Sequence, residues 1–233
     1  MDEERRQRLV KLGSAVAFLA IAAVLVAVVI SQSQSEGGDA SDVKDVALVS
    51  NQLRGIPQKG MVLGDPDARV ALVEFGDLQC PACKGYAEGI IPEVIAGPVR
   101  RGEAKLDFRN YVILGSESTD AGAGAIAAGE QGRGWNFVEL FYRNQGFENS
   151  GYVTDDFLTA IARGAGVPDI AQWNADRRSK AVLREVNRTT SQASSLGFTG
   201  TPSFAVQGSD GALEPIGTPG SASEIESALS QAG

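Results

Sequence analysis

Cys80 and Cys83 are the residues best suited to covalent chemistry, and the chain has no other cysteine. The motif Cys80-Pro81-Ala82-Cys83 follows a predicted strand and opens a predicted helix. Cys80 would then lie at the helix N-terminus, where unpaired N–H groups and the helix dipole favour a thiolate, the nucleophilic form of cysteine. Pro81 suits the first helical position. Cys83 would lie one turn later, within reach of Cys80, so the spacing predicts a redox-active pair.

Three other interpretations of the cysteine pair remain open from the residues alone. A purely structural disulfide across so short a loop would restrain the unfolded chain little. Half of a zinc site would need two ligands from another chain, since this chain has neither histidine nor a further cysteine. Chance spacing is the third interpretation. The absence of histidine also excludes Ser-His-Asp and Cys-His catalysis, and we expect no metal site.

The surrounding pattern predicts an α/β protein of three layers. Residues 69–75 form a nearly continuous apolar run, typical of a strand that is buried on both faces. Further strands are predicted at 105–112, 201–206 and 212–216, and helices at 84–95, through much of 120–196, and from a capping box at 221 to about 231. This order predicts a helical insertion in the middle of an α/β domain.

The N-terminal region predicts membrane attachment. Residues 12–30 are uncharged and largely apolar, about the length that spans a bilayer. Basic residues precede this run and none follows within 31–42, so residues 1–11 are predicted to be cytoplasmic and the remainder extracytoplasmic. Residues 31–59 are predicted to be a linker and lead-in. A cleaved signal peptide and a buried helix are the alternatives. The net charge of −8, without a basic stripe, argues against nucleic-acid binding.

The residues that surround the cysteines resemble a known family. Residues 73–83 (VEFGDLQCPAC), followed much later by residues 200–204 (GTPSF), are similar to the DsbA-like branch of the thioredoxin superfamily. Residues 108–111 and 121–144 look like the start of that branch's helical insertion. The resemblance covers residues 60–233 and implies a thioredoxin-like fold with a helical insertion at about 118–197, preceded here by one transmembrane helix.

The resemblance also implies a role for individual residues. Cys80 would be the nucleophile and Cys83 the resolving thiol. Pro202 matches the family's cis-proline, and a cis bond would expose the backbone of Thr201 to an extended substrate. Glu74 matches a buried acid, which would have a raised pKa and could carry a proton for Cys83. The alternative for Glu74 is a solvated carboxylate at a strand end.

These implications predict a membrane-anchored, extracytoplasmic thiol–disulfide oxidoreductase that oxidises the thiols of exported proteins. A membrane redox partner of the DsbB or vitamin K epoxide reductase type would reoxidise it, and no cofactor is expected because the cysteine pair carries the electrons. The alternatives are a reductase or isomerase fed by a membrane electron donor, and a non-catalytic binding or chaperone module. One departure from DsbA is Ala82, where DsbA has histidine; it predicts a less stabilised thiolate and a weaker oxidant.

Overall fold

The computed structural model describes residues 38–233, which form one compact unit. The cytoplasmic segment predicted at 1–11 and the transmembrane helix predicted at 12–30 lie outside the described residues. Within residues 38–233, no helix combines the length and the apolar character needed to cross a bilayer. Membrane attachment therefore stays a prediction from the sequence.

A six-stranded mixed sheet forms the centre of the described unit. Its strands run in the order β1-β2-β4-β3-β5-β6, where β3 and β4 are parallel and the other neighbours are antiparallel. Their bounds are β1 Gln58–Lys59, β2 Val62–Gly64, β3 Val70–Gly76, β4 Ala104–Asn110, β5 Ser203–Gln207 and β6 Leu213–Gly217. The four predicted strands are present within a few residues, whereas β1 and β2 are too short to give a sequence pattern.

Strand β3 is the central element, and all of its residues are buried. Val70 and Leu72 belong to the larger hydrophobic core, while Ala71, Val73 and Phe75 pack in a second cluster on the other face. Burial on both faces explains the continuous apolar run in the sequence. Because β3 and β5 are antiparallel, the carboxyl end of β3 lies beside the start of β5.

Nine α-helices cover the sheet within residues 38–233. Their bounds are α1 Val46–Leu53, α2 Pro81–Glu88, α3 Ile90–Val94, α4 Ser116–Glu130, α5 Gly134–Arg143, α6 Asp155–Gly164, α7 Ile170–Asp176, α8 Lys180–Ser195 and α9 Ala222–Ala232. The single helix predicted at 84–95 is instead divided at Gly89. Pro92 explains the division, because it has no N–H to donate to the carbonyl of Glu88.

Helices α4 to α8 form a helical block between β4 and β5, which confirms the predicted insertion. Its core is aromatic: Trp135 and Tyr142 are 1% exposed, and Phe137 and Phe141 are fully buried. Burial of four such side chains supplies much of the block's stability. The block packs α5 against α2, the helix that carries the cysteines.

The residues before β1 also take part in the fold. Helix α1 packs Val49 and Leu53 into the main core, where they are 0% and 4% exposed. Asn144 accepts a hydrogen bond from the backbone N–H of Lys44 at 2.8 Å. The compact unit therefore begins at Gly38, within residues 31–59, which are predicted from the sequence to be a linker and lead-in.

Candidate active site

Cys80 lies at the N-terminus of α2, in the position that the sequence predicts. Its backbone is extended (φ −73°, ψ 121°), and Pro81 is the first helical residue. The Cys83 N–H donates a hydrogen bond to Cys80 Sγ at 3.5 Å. Because Cys80 precedes the first turn of α2, the unpaired N–H groups of that turn and the positive end of the helix dipole lie toward this sulfur.

The loop before β5 completes the other side of the site. The Thr201–Pro202 peptide bond is cis, as predicted. The Thr201 carbonyl oxygen lies 3.3 Å from Cys80 Sγ and accepts a hydrogen bond from it when the thiol is protonated. Residues far apart in the sequence thus meet at one sulfur atom, because β5 lies beside β3 in the sheet.

The two thiols are free and have different environments. Cys80 is 7% exposed and Cys83 is fully buried. The pKa of Cys80 is lowered to about 6, first by the hydrogen bond from the Cys83 side chain and then, against the opposing effect of burial, by those from the Thr201 side chain and the N–H groups of Cys83 and Ala82. Burial raises the pKa of Cys83 well above its ordinary value. Near neutral pH, Cys80 is therefore a thiolate and Cys83 a thiol.

Glu74 is a buried acid beside the cysteines. It is 3% exposed, so the alternative of a solvated carboxylate is wrong. Its Oε1 atom has no hydrogen-bond partner within the described part of the chain. Burial, followed by the charges of Glu139 and Cys80, raises the pKa of Glu74 to about 8. A carboxyl group with this pKa can hold or release a proton near neutral pH.

Two residues that hold the cysteine loop, Asp77 and Gln145, were not predicted from the sequence. Buried Asp77 accepts hydrogen bonds from the N–H groups of Gln79, Ile113 and Leu114 at 2.9 to 3.0 Å. Gln145 donates to the carbonyls of Leu78 and Cys80 at 2.7 and 3.2 Å.

Asp77 could have been found from its position, because an acid between a buried strand and the cysteine motif indicates a side chain that binds the backbone of the loop. Nothing local pointed to Gln145, which reaches the loop from beyond α5. Among residues 38–233, no cluster of three or more histidine, cysteine, aspartate or glutamate residues could hold a metal ion.

We predict that the reduced protein ionises one thiol with a midpoint near pH 6, because the hydrogen bonds at Cys80 favour its thiolate. Thiolate absorbance at 240 nm during a pH titration measures this midpoint, and mass spectrometry of briefly alkylated protein identifies the residue. Cys80→Ala should remove the transition, whereas Cys83→Ala should keep one. A single midpoint near 9 for both cysteines would contradict the asymmetry.

We predict that Glu74→Gln stabilises the protein increasingly as pH rises from 4.5 to 8. A raised carboxyl pKa means that the folded state keeps a proton that the unfolded chain has lost, so Glu74 costs stability across this interval. The gain in the free energy of unfolding should reach about 3 kcal/mol at pH 7. Urea denaturation under reducing conditions measures it.

The control for this prediction is Glu93→Gln, because Glu93 is an exposed acid of the neighbouring helix α3. That substitution should change the free energy of unfolding by less than about 0.5 kcal/mol at every pH. An effect of Glu74→Gln that is the same at pH 4.5 and pH 8 would show that the carboxyl group has an ordinary pKa.

Comparison with known proteins agrees with this geometry. A family model described as thioredoxin matches residues 57–219. The probable disulfide bond formation protein D of Bacillus cereus is 32% identical over 151 residues, which cover 63% of this chain and 69% of that protein.

Two solved structures share the fold. Oxidised BdbD from Bacillus subtilis has a TM-score of 0.64 and 21% identity, covering 76% of this chain and 96% of that chain. A thioredoxin-like oxidoreductase from Silicibacter pomeroyi has a TM-score of 0.58 and 30% identity, covering 81% and 96%. The prediction of a thiol–disulfide oxidoreductase is thereby confirmed. The chain belongs to the thioredoxin family, among its DsbA-like thiol–disulfide oxidoreductases.

Proposed function

We propose that this chain is an extracytoplasmic thiol oxidase, which introduces disulfide bonds into exported proteins through Cys80 and Cys83. One observation carries the proposal: Cys80 Sγ accepts a hydrogen bond from the Cys83 N–H at 3.5 Å and its pKa is lowered, whereas burial raises the pKa of Cys83, so the two cysteines have opposite acidities near neutral pH. A structural disulfide would need no such difference. The relatives named disulfide bond formation proteins support the oxidising direction.

The first step of the reaction breaks the oxidised Cys80–Cys83 bond. A client thiolate attacks Cys80 Sγ, a mixed disulfide forms, and Cys83 leaves with the electron pair of the broken bond. Because burial raises the pKa of Cys83, its sulfur takes up a proton at once. Glu74 is the buried acid that supplies it, since its pKa of about 8 keeps it protonated at neutral pH.

The second step releases the oxidised client. A second client thiolate attacks the client sulfur of the mixed disulfide, and Cys80 leaves as a thiolate. Its low pKa makes it a good leaving group. The client has then lost two electrons, and the protein holds them as a Cys80 thiolate and a Cys83 thiol. Cys83 acts as a resolving thiol only when the first step runs backwards. It then attacks Cys80 Sγ of the mixed disulfide, and the client leaves as a thiolate that has not been oxidised.

Thr201 and Pro202 are proposed to bind the client. The Thr201 carbonyl lies 3.3 Å from Cys80 Sγ, so a client that pairs with this backbone as an extended strand would bring its own sulfur to the attacked atom. The cis Thr201–Pro202 bond and the adjacent start of β5 support this role. Such pairing uses main-chain groups and therefore accepts clients of many sequences.

We further propose that residues 12–30 anchor the chain and that residues 38–233 face the extracytoplasmic side, with a membrane partner of the DsbB or vitamin K epoxide reductase type restoring the disulfide. The apolar run and the basic residues before it support this orientation. The reduced pair must pass two electrons to an acceptor in every cycle. An anchored domain would meet a membrane-bound acceptor at high effective concentration.

We predict that the full chain, oxidised and held in detergent, forms disulfides in a reduced, unfolded protein. Cys80→Ala and Cys83→Ala should each lower this rate at least about a hundredfold, because either change removes the bond that is exchanged. Quantifying the client's remaining thiols measures the rate. With oxidised glutathione, only Cys83→Ala should hold a stable mixed disulfide, since Cys80 attacks and no neighbour displaces the adduct. Full activity of Cys80→Ala would reject the proposed function.

We predict that Ala82→His makes the protein a stronger oxidant. An imidazolium two residues from Cys80 would stabilise its thiolate, lower its pKa below about 6 and raise the reduction potential by about 30 mV for each unit of change. Ala82 is exposed, so the new ring meets no packed neighbour. Equilibration with glutathione buffers measures the potential. Ala82→Gln is the uncharged control, and an equal shift in both variants would exclude the electrostatic cause.

We predict that a reporter enzyme fused after Gly233 and active only outside the cytoplasm is active in cells. The same fusion should lose activity when Arg5, Arg6, Arg8 and Lys11 are all replaced by glutamate, because the basic flank sets the orientation. A fusion of a cytoplasm-only reporter is the complementary control. Activity of that second reporter in the unaltered chain would reject the proposed orientation.

A further inference from the structure

Helix α5 carries a second buried carboxyl group, Glu139, which the redox steps above do not use. Glu139 is 1% exposed. Among residues 38–233, neither of its carboxylate oxygens has a hydrogen-bond partner. An unsatisfied buried carboxyl group costs free energy, so it calls for an explanation beyond packing.

Arg143 is the cation that accompanies Glu139. It lies one turn further along α5, with Nη2 at 3.6 Å from Glu139 Oε2. Its Nη1 atom also lies 3.9 Å from Asp45 Oδ2, and the Asp45 side chain is 47% exposed. Arg143 therefore connects the buried carboxyl group to the surface of the unit, and it favours the ionised form of Glu139.

The face of α5 that carries Glu139 covers the redox centre. Tyr142, three residues later and on the same helix face, donates a hydrogen bond to the Asp77 carbonyl at 3.3 Å. Its hydroxyl oxygen would lie 3.0 Å from a Cβ atom added at Gly76. Gly76 is two residues after Glu74 in β3 and thus projects from the same side of the sheet. Glu139 and Glu74 therefore belong to one buried layer.

The charges in this layer favour one order of ionisation. Burial raises the pKa of Glu139 to about 7, despite the opposing charge of Arg143. Within residues 38–233 no cation forms an ion pair with Glu74, and its pKa is raised to about 8 by burial, by Glu139 and by Cys80. Arg143, at 3.6 Å from Glu139, therefore makes Glu139 the acid of the two that ionises more readily.

The remaining charged groups near these two acids lie on α2. Glu88 faces Glu139 and raises its pKa further, and Lys84 lies 3.7 Å from Glu88 as a partly compensating charge. Cys80 and Cys83 face Glu74. Glu88 and Lys84 form a partly exposed ion pair, so Arg143 is the main cation that acts on Glu139 within residues 38–233.

We propose that Glu139, whose ionised form Arg143 favours, is a positioning residue for the redox centre, because its negative charge keeps the proton on Glu74 that Cys83 receives when the disulfide opens. This inference rests on the proposed function. Glu74 starts the oxidation of a client as an acid and is a carboxylate at the moment when its proton has passed to Cys83. When the pair is reoxidised, the carboxylate takes the Cys83 proton back, and repulsion from Glu139 favours that return.

The test is an infrared titration of the full chain, which follows the carbonyl band of protonated carboxyl groups as pH is raised. Glu74→Gln identifies the component that belongs to Glu74. In Glu139→Gln this component should titrate about one pH unit lower, the shift expected from removing one nearby charge. The thiolate midpoint of Cys80 should stay unchanged.

Two further variants separate positioning from a structural effect. Glu139→Gln combined with Arg143→Met removes both charges together and should shift the Glu74 component by the same amount as Glu139→Gln alone. Glu93→Gln, at the exposed acid of α3, should leave it unmoved. If Glu139→Gln alone fails to fold because Arg143 has lost its partner, the double variant, which lacks both charges, still allows the test.

A Glu74 component that titrates at the same pH in the wild type, Glu139→Gln and the double variant would overturn the inference. So would the absence of any component removed by Glu74→Gln. Both outcomes are independent of activity, so they leave the proposed function intact. Conversely, an inactive wild type that still shows the shift would reject the oxidase and keep the electrostatic coupling of Glu139 and Glu74.

Discussion

The contact of the α2 N-terminus with the loop before β5 is the constraint on which the site depends. Cys80 Sγ lies between the Cys83 N–H at 3.5 Å and the Thr201 carbonyl at 3.3 Å. The Thr201 contact could not form unless β5 lay antiparallel beside β3, since these two segments are far apart in the chain. The sheet topology therefore determines the environment of one sulfur atom, and the helical block serves to enclose it.

The two cysteines have opposite shifts in pKa although the protein encloses both of them. Burial opposes ionisation of both thiols, but at Cys80 the hydrogen bonds outweigh it, while at Cys83 they do not. The stabilising donors at Cys80 include the N–H groups of Cys83 and Ala82, so part of its acidity comes from the backbone. A pKa of about 6 lies between the values of about 7 for thioredoxin and about 3.5 for DsbA. The exposed side chain of Ala82 adds no charge to this balance, as the sequence indicates.

Much of the site could be predicted because its signals are local. The spacing of Cys80 and Cys83 after an apolar strand predicts a helix N-terminus, and the position of Glu74 within that strand predicts burial. The resemblance to the DsbA-like branch added the cis bond at Pro202. The groups that sequence reasoning missed act across the fold: Gln145 supports the cysteine loop from beyond α5, and Glu139 lies among aromatic residues whose helical spacing indicates only a core. No pattern within one element reveals such contacts.

Helix α5 also explains how the fold tolerates the buried acid that its redox chemistry uses. A strand with an apolar residue in place of Glu74 would be more stable, because the folded state would not have to retain a proton above pH 4.5. The buried aromatic side chains of α5, fully or almost fully enclosed, offset that cost. The same helix supplies Glu139 and Arg143, so the element that stabilises the domain also sets the charge beside Glu74. Packing and proton transfer are therefore coupled through α5, and a substitution in this helix should be judged by its effect on both.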